Sequence, residues 1–315
     1  MRKVRIVLAS FHLFDNWYLL LIKYALSKIG FNVKLKAKID GCFIEIDPVV
    51  FAQFVSRFSR GLIKSIRCVE SKLFVNDIEV NNINDVIYNP EIWGKIIGWR
   101  YDASCNCWIK NNIKFRRMHN SIVWIIDLKE YAFLNVSGKI IVDVGAYIGD
   151  TSIYFAIKGA KKVIAIEPHP VAFKEMLENI QLNSLEKVII PINAGLASKH
   201  GKICIENVDV ESTNGIYHKL GNCESEIPAI TLGEIISMYE IKDDAILKMD
   251  CEGCEYDIIF NDYEHLKIFK ELIFEYHTYI ISKPVSEVLK VLAKDYQCKI
   301  VKSHNGLVIV HCVKK

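Results

Sequence analysis

From Gly138 onward, two hydrophobic patterns alternate along the chain. KIIVDVG, KKVIAIE, KVIIPINAGLA, AILKMD and KELIFEYH are short, nearly continuous apolar runs rich in Val and Ile. Between them GDTSIYFAIKGA, VAFKEMLENIQLN, TLGEIISMYEI, CEYDIIFN and VSEVLKVLAKD read as helices. Strands that are apolar on both faces and alternate with helices predict a parallel sheet covered on both sides. CKIVKS and GLVIVHCV are joined through His304-Asn305-Gly306, a tight hairpin signal, so the sheet is expected to end on an antiparallel strand.

The front of the chain follows a different grammar. DNWYLLLIKYALSKIG predicts a helix with Asp15 as cap and Gly30 as stop, and FAQFVSRFSRG predicts a second. VKLKAKIDGCFIEID holds two alternating runs around Asp40-Gly41, a hairpin signal, and short strands are expected around CVESKLFVNDIEV. The pattern therefore predicts a small α+β domain over residues 1–135, for substrate recognition or an accessory role. An α/β domain with a doubly wound sheet is expected over 136–315. No repeat, low-complexity segment or long linker separates them.

Composition is that of a folded soluble protein, 51% hydrophobic and 24% charged. WYLLLI is broken by Lys23 and is far too short to span a bilayer. No signal peptide emerges, so the expectation is a cytoplasmic protein without membrane partners. In that compartment most of the ten cysteines would be buried apolar thiols. The net charge of +3 conceals an asymmetry: residues 1–135 hold 20 Lys+Arg against 12 Asp+Glu, and the remainder holds 20 against 25. The front is thus expected to meet something anionic.

The first strand runs into DVGAYIGD, a strand–glycine loop–helix unit of the kind that places backbone N–H groups beside a nucleotide. The dinucleotide fingerprint needs a second glycine where this chain has Tyr147, which removes the close approach to a pyrophosphate. Asp143 adds a carboxylate, which repels phosphate but suits a sulfonium. Glu167, at the end of the second strand, is placed to accept both ribose hydroxyls. An intact ribose, no pyrophosphate and a cation together describe S-adenosylmethionine.

These residues carry a resemblance. The blocks D-x-G-A-x-x-G-D (Asp143 to Asp150), E-P-x-P (Glu167 to Pro170) and K-x-D-x-E-G-x-E (Lys248 to Glu255) resemble, in order and spacing, the FkbM family of S-adenosylmethionine-dependent methyltransferases. The likeness covers about residues 135–280. It implies a class I methyltransferase sheet of seven strands, mostly parallel with the last antiparallel. It also implies a cofactor site at Asp143, Gly145, Ala146, Gly149, Glu167 and Pro168. Asn193 and Ala194 follow the third strand, where adenine would be held.

In an open α/β sheet, ligands bind outside the carboxyl ends of the strands. Asp250 ends AILKMD and is the first candidate for base or acceptor-orienting group, with Glu252 second; the plainer alternative is that Asp250 caps the helix that follows. Glu275 and His277 end the next strand and could face the same cleft, and an imidazole with an ordinary pKa of ~6.5 suits a base. His169 is expected to border the adenosine pocket.

Two cysteine pairs raise other chemistry. Cys105-x-Cys107 with Cys251-x-x-Cys254 could formally hold zinc, but the first spacing is wrong for it, and no metal is expected. A redox role for Cys251 and Cys254 is undercut by the surrounding carboxylates, which raise a thiol pKa. The C-x-x-C is therefore expected to be incidental.

KFRRMH, residues 114–119, interleaves basic and aromatic positions, a sign of nucleic-acid contact but more commonly a solvated strand face. Three functions follow. The first is O-methylation of a hydroxyl on a sugar, glycan or other small metabolite. The second is RNA methylation using the basic front domain, and the third is a non-catalytic S-adenosylmethionine-binding module. The acceptor and the oligomeric state are not legible.

Overall fold

The computed structural model describes residues 2–205, 226–304 and 306–315, with the side chains of residues 2–6 and 304 excepted. The chain forms two compact units, Met1–Val123 and Trp124–Lys315. Residues 124–135, assigned to the front domain from sequence, cluster with the second unit. Tyr131 explains why: it is 2% exposed, and its hydroxyl donates to Oε1 of Glu275 at 2.8 Å.

The first unit is α+β. Helices Arg2–Leu13, Trp17–Lys28 and Pro48–Ser59 accompany three small antiparallel sheets. The Asp40-Gly41 turn joins Leu35–Ile39 to Cys42–Ile46, as its sequence predicts. Asp15 does not cap its helix: the N-cap is Asn16, and the Asp15 carboxylate instead accepts from the N–H of Gly41. The basic run lies on and after the strand Ile113–Phe115, where the Arg116 guanidinium donates to the carbonyls of Cys105 and Asn106.

The second unit is built on one seven-stranded sheet: β1 (Ile140–Val144), β2 (Lys162–Ile166), β3 (Ile189–Ile192), β4 (Ile246–Met249), β5 (Glu271–His277), β6 (Tyr296–His304) and β7 (Leu307–Lys314). The spatial order is β3-β2-β1-β4-β5-β7-β6. All neighbours are parallel except β7, which runs antiparallel to both β5 and β6. This is the class I methyltransferase sheet, with the antiparallel strand that the terminal hairpin signal requires; Asn305, within that signal, lies outside the described residues. Helices α1 (Asp150–Ile157), α2 (Pro170–Leu182), α3 (Leu232–Tyr239), α4 (Cys254–Asn261) and α5 (Val285–Leu292) follow strands as the alternation predicts. The strands are apolar on both faces because both are covered: β4 is buried at all four positions.

The order reverses between β1 and β4, since the chain runs outward to β3 and returns on the other side of β1. In open α/β sheets ligands bind at such a switch point, outside the carboxyl ends of the strands. The Gly145 loop and Asp250 both lie at those ends.

The cysteines depart from expectation. Cys42–Cys68, Cys105–Cys107, Cys251–Cys254 and Cys298–Cys312 are disulfides. Folding supplies the proximity that sequence spacing conceals. Cys298 and Cys312 face each other in the β6–β7 register, and Cys251 and Cys254 lie 5.5 Å apart by Cα, within bridging range. Among the described residues no helix is long and apolar enough to cross a membrane.

Candidate active site

The site begins with a charge inside an apolar strand. Lys248, in the middle of β4, is 1% exposed and stands directly opposite Asp143 of β1, which is fully buried. Their side chains form an ion pair at 3.0 Å. Asp143 also accepts from the hydroxyls of Thr151 and Ser152, each at 2.6 Å, at the start of α1. Lys248 Nζ donates onward to the carbonyl of Gly145 at 3.1 Å. Burial alone would lower the Lys248 ammonium; the carboxylates of Asp143 and then Asp250 outweigh it and hold the group above its ordinary value. The pair ties β1, β4, α1 and the glycine loop together. Sequence reasoning gave Lys248 no role. The available signal was two opposite charges in two otherwise apolar strands, which burial obliges to meet.

The loop after β1 is shaped by its glycines. Gly145 has φ +72, and a Cβ there would lie 1.8 Å from the carbonyl oxygen of Asp250. That close approach joins the loop to the end of β4, where the N–H of Asp250 also donates to the carbonyl of Val144. Gly149 has φ +84 and lies against Met176 of α2. Ala146 is fully buried, and its N–H donates to the Ile166 carbonyl.

Glu167 follows β2 and is 4% exposed. Its two oxygens accept from the N–H groups of Tyr147 at 2.7 Å and His169 at 2.8 Å. Burial raises its pKa to about 7 against those bonds and Lys248. Asn193 donates to the carbonyls of Glu167 and Pro168, so the segment after β3 braces the segment after β2. Ala194 is buried, and His169 caps α2. Asp143 lies beneath the loop, neutralised by Lys248.

The other half of the site follows β4 and β5. Asp250, Glu252 and His277 place one ligating atom each within 4.8 Å of one another. His277 Nε2 is 3.9 Å from Oδ1 of Asp250 and 3.6 Å from Oε1 of Glu252. Glu252 has φ +54 and Gly253 φ +122, a turn that brings Cys251 round to Cys254 and directs the loop into α4. Glu255 fixes that turn from below: its carboxylate accepts from the N–H groups of Cys251 and Gly253. Asp250 therefore does not serve as a side-chain cap of α4; its N-cap is Gly253, without a side-chain cap.

Burial raises the acids of this half, as it raises Glu167 beside the loop. Burial, then the charges of Asp250 and Glu255, push Glu252 up to about 8. Burial, then Asp250 and Glu130, push Glu275 up to about 8. Burial raises Asp250 to about 7 even with Lys248 opposing, and burial lowers His277. Near neutral pH this edge is a group of partly protonated carboxyls around a neutral imidazole.

Fold and site together define a class I methyltransferase sheet with a group of acidic side chains at its switch point. Residues 143–298 match the methyltransferase FkbM domain. The hexuronic acid methyltransferase AglP of Haloferax volcanii is 27% identical over 147 residues, 47% of this chain and 59% of that protein. A ribosomal protein L11 methyltransferase of Carboxydothermus hydrogenoformans is 44% identical over 59 residues, 19% of either chain. The chain thus matches less than two thirds of the length of either relative. Among solved structures, an M. jannaschii tRNA m1G37 methyltransferase is 15% identical with a TM-score of 0.39, covering 89% of this chain and 74% of that one.

Proposed function

We propose that the protein transfers a methyl group from S-adenosylmethionine to a hydroxyl of a sugar or other small metabolite. The observation that carries the reading is the convergence of Asp250, Glu252 and His277 beside the Gly145 loop, at the switch point of the sheet. Similarity to a hexuronic acid methyltransferase supports a sugar acceptor.

The residues fit the cofactor by their chemistry. Each Glu167 oxygen already accepts one backbone N–H and keeps a second lone pair for a ribose hydroxyl. The site is rich in carboxyls and has Tyr147 where a pyrophosphate needs glycine, which favours a sulfonium over a phosphate. When bound, the cofactor supplies an electrophilic methyl on a leaving group that departs as a neutral thioether. Gly145, Ala146 and Gly149 shape the loop around it, and Pro168, Asn193 and Ala194 border it.

In this reading the chain's own residues handle the acceptor. Asp250 orients the hydroxyl and takes its proton, Glu252 is the second carboxylate at the same edge, and neutral His277 presents a ring nitrogen to both. Holding the acceptor in line accounts for much of the acceleration, and a positioned base typically adds ~10²–10⁴-fold. The test is transfer of labelled methyl from S-adenosylmethionine into a cell extract separated into small-molecule, glycan, protein and RNA fractions. Label is expected in the small-molecule or glycan fraction. Label confined to RNA or protein would replace the acceptor class, and none in any fraction would end the enzymatic reading.

A further inference from the structure

Asp250, Glu252 and His277 are arranged less like hydrogen-bond partners than like ligands. The separations of 3.6 and 3.9 Å from His277 Nε2 to the two carboxylates are too long for hydrogen bonds. Two ligand atoms held at about 2.1 Å from one tetrahedral cation lie about 3.4 Å apart; both separations from His277 are within a few tenths of an ångström of that, and all three atoms lie within 4.8 Å of one another.

The polar bookkeeping points the same way. His277 is 5% exposed, and the nitrogen that faces the two carboxylates is Nε2; its other nitrogen, Nδ1, is buried without a hydrogen-bond partner. An imidazole buried to that degree, aimed at two carboxylates and bonded to neither, lacks a partner between them. Lys248, a buried cation, is engaged by Asp143 and the Gly145 carbonyl.

We propose that Asp250, Glu252 and His277 bind a first-row divalent cation, which takes an oxygen of the acceptor at an open position. Two carboxylates and an imidazole suit Mn²⁺ or Zn²⁺ better than Mg²⁺ or Ca²⁺, which favour all-oxygen sets. Three protein ligands leave room for a fourth or further ligand, as catalytic metal sites do. The inference rests on the reading above for the acceptor's location, but makes the two carboxylates ligands instead of proton acceptors. A coordinated hydroxyl loses its proton to water more readily. Its lone pair then forms the C–O bond as the C–S bond breaks onto sulfur.

The test is a Mn²⁺ titration of the full-length, chelator-treated, non-reduced protein, followed by loss of the free-ion electron paramagnetic resonance signal. One site per chain is expected. Glu252→Gln and His277→Ala are each expected to weaken it at least tenfold, while Glu264→Gln, an exposed carboxylate elsewhere, leaves it unchanged. Mn²⁺ should also raise the Tm of the native chain and do so less in Glu252→Gln, a readout that stands if His277→Ala fails to fold. Absence of stoichiometric binding, or binding indifferent to Glu252→Gln, overturns the cation. If methyl transfer then persists in chelator, the methyltransferase reading survives without it. If an intact metal site accompanies no transfer to any acceptor, that reading fails and the cation site stands.

Discussion

The two halves of the site treat their acids in opposite ways. Around the glycine loop, Asp143 has Lys248 and two hydroxyls, and Glu167 has two backbone N–H groups. At the ends of β4 and β5, the carboxylates of Asp250 and Glu252 face the His277 ring at more than hydrogen-bond distance. The first half is finished before any ligand arrives. The second half is left with carboxyl groups that only a proton, a cation or a substrate can satisfy. An edge that is costly to keep in the ligand-free protein is where chemistry is expected, because unsatisfied groups are a reservoir of binding energy.

Substitutions can break this contrast from either side. Asp250→Asn should lower turnover by roughly 10²–10⁴-fold while S-adenosylmethionine affinity in calorimetry stays within a few-fold. Near-normal turnover would remove Asp250 from the chemistry. Lys248→Met attacks the finished half by stranding Asp143, and denaturant unfolding should show a loss of about 3–5 kcal/mol. A loss below 1 kcal/mol would show that the pair does not anchor the loop. Gly145→Ala forces a Cβ against the Asp250 carbonyl at a left-handed φ; a loss of about 2–4 kcal/mol is expected, read as a fall of roughly 5–15 °C in Tm.

Proton linkage sharpens the same comparison with a smaller effect. Asp250, Glu252 and Glu275 have folded pKa values above their ordinary ones, so between about pH 4 and 8 the folded state binds more protons than the unfolded. Their contribution is fully present below their unfolded pKa values and is lost as pH rises through about 7 and 8. Stability measured by urea unfolding should therefore fall across that window, while turnover, on the proposed role of Asp250 as base, rises. Glu252→Gln should flatten the fall in stability; an unchanged slope would place the titration elsewhere.

The sheet was legible because its grammar is local. Apolar runs separated by amphipathic helices specify β1 to β5 one at a time, and the hairpin signal at Gly306 predicts the antiparallel β7. The loop at Gly145 and the acid at Glu167 were legible for the same reason, since each sits at the end of its own strand. What pairs with what was not. Lys248 meets Asp143 only because β4 lies beside β1, and His277 meets Asp250 only because β5 lies beside β4. Tyr131 was assigned to the wrong side of the chain because its partner, Glu275, is 144 residues away. The disulfides were missed because a reducing compartment was expected, and the spacing of Cys298 and Cys312 says nothing until β6 and β7 are in register.

The Cys251–Cys254 bridge has a practical consequence for anyone handling the molecule. It staples the short turn that carries Glu252 and follows Asp250, so two preparations of identical sequence can present different reactive edges. One purified with a thiol reductant would have a freer turn and two extra soft donors beside the carboxylates, able to capture trace zinc. Activity and cation measurements should therefore be made on protein whose thiol count is known. Oxidation state becomes part of the sample's identity, alongside its concentration and pH.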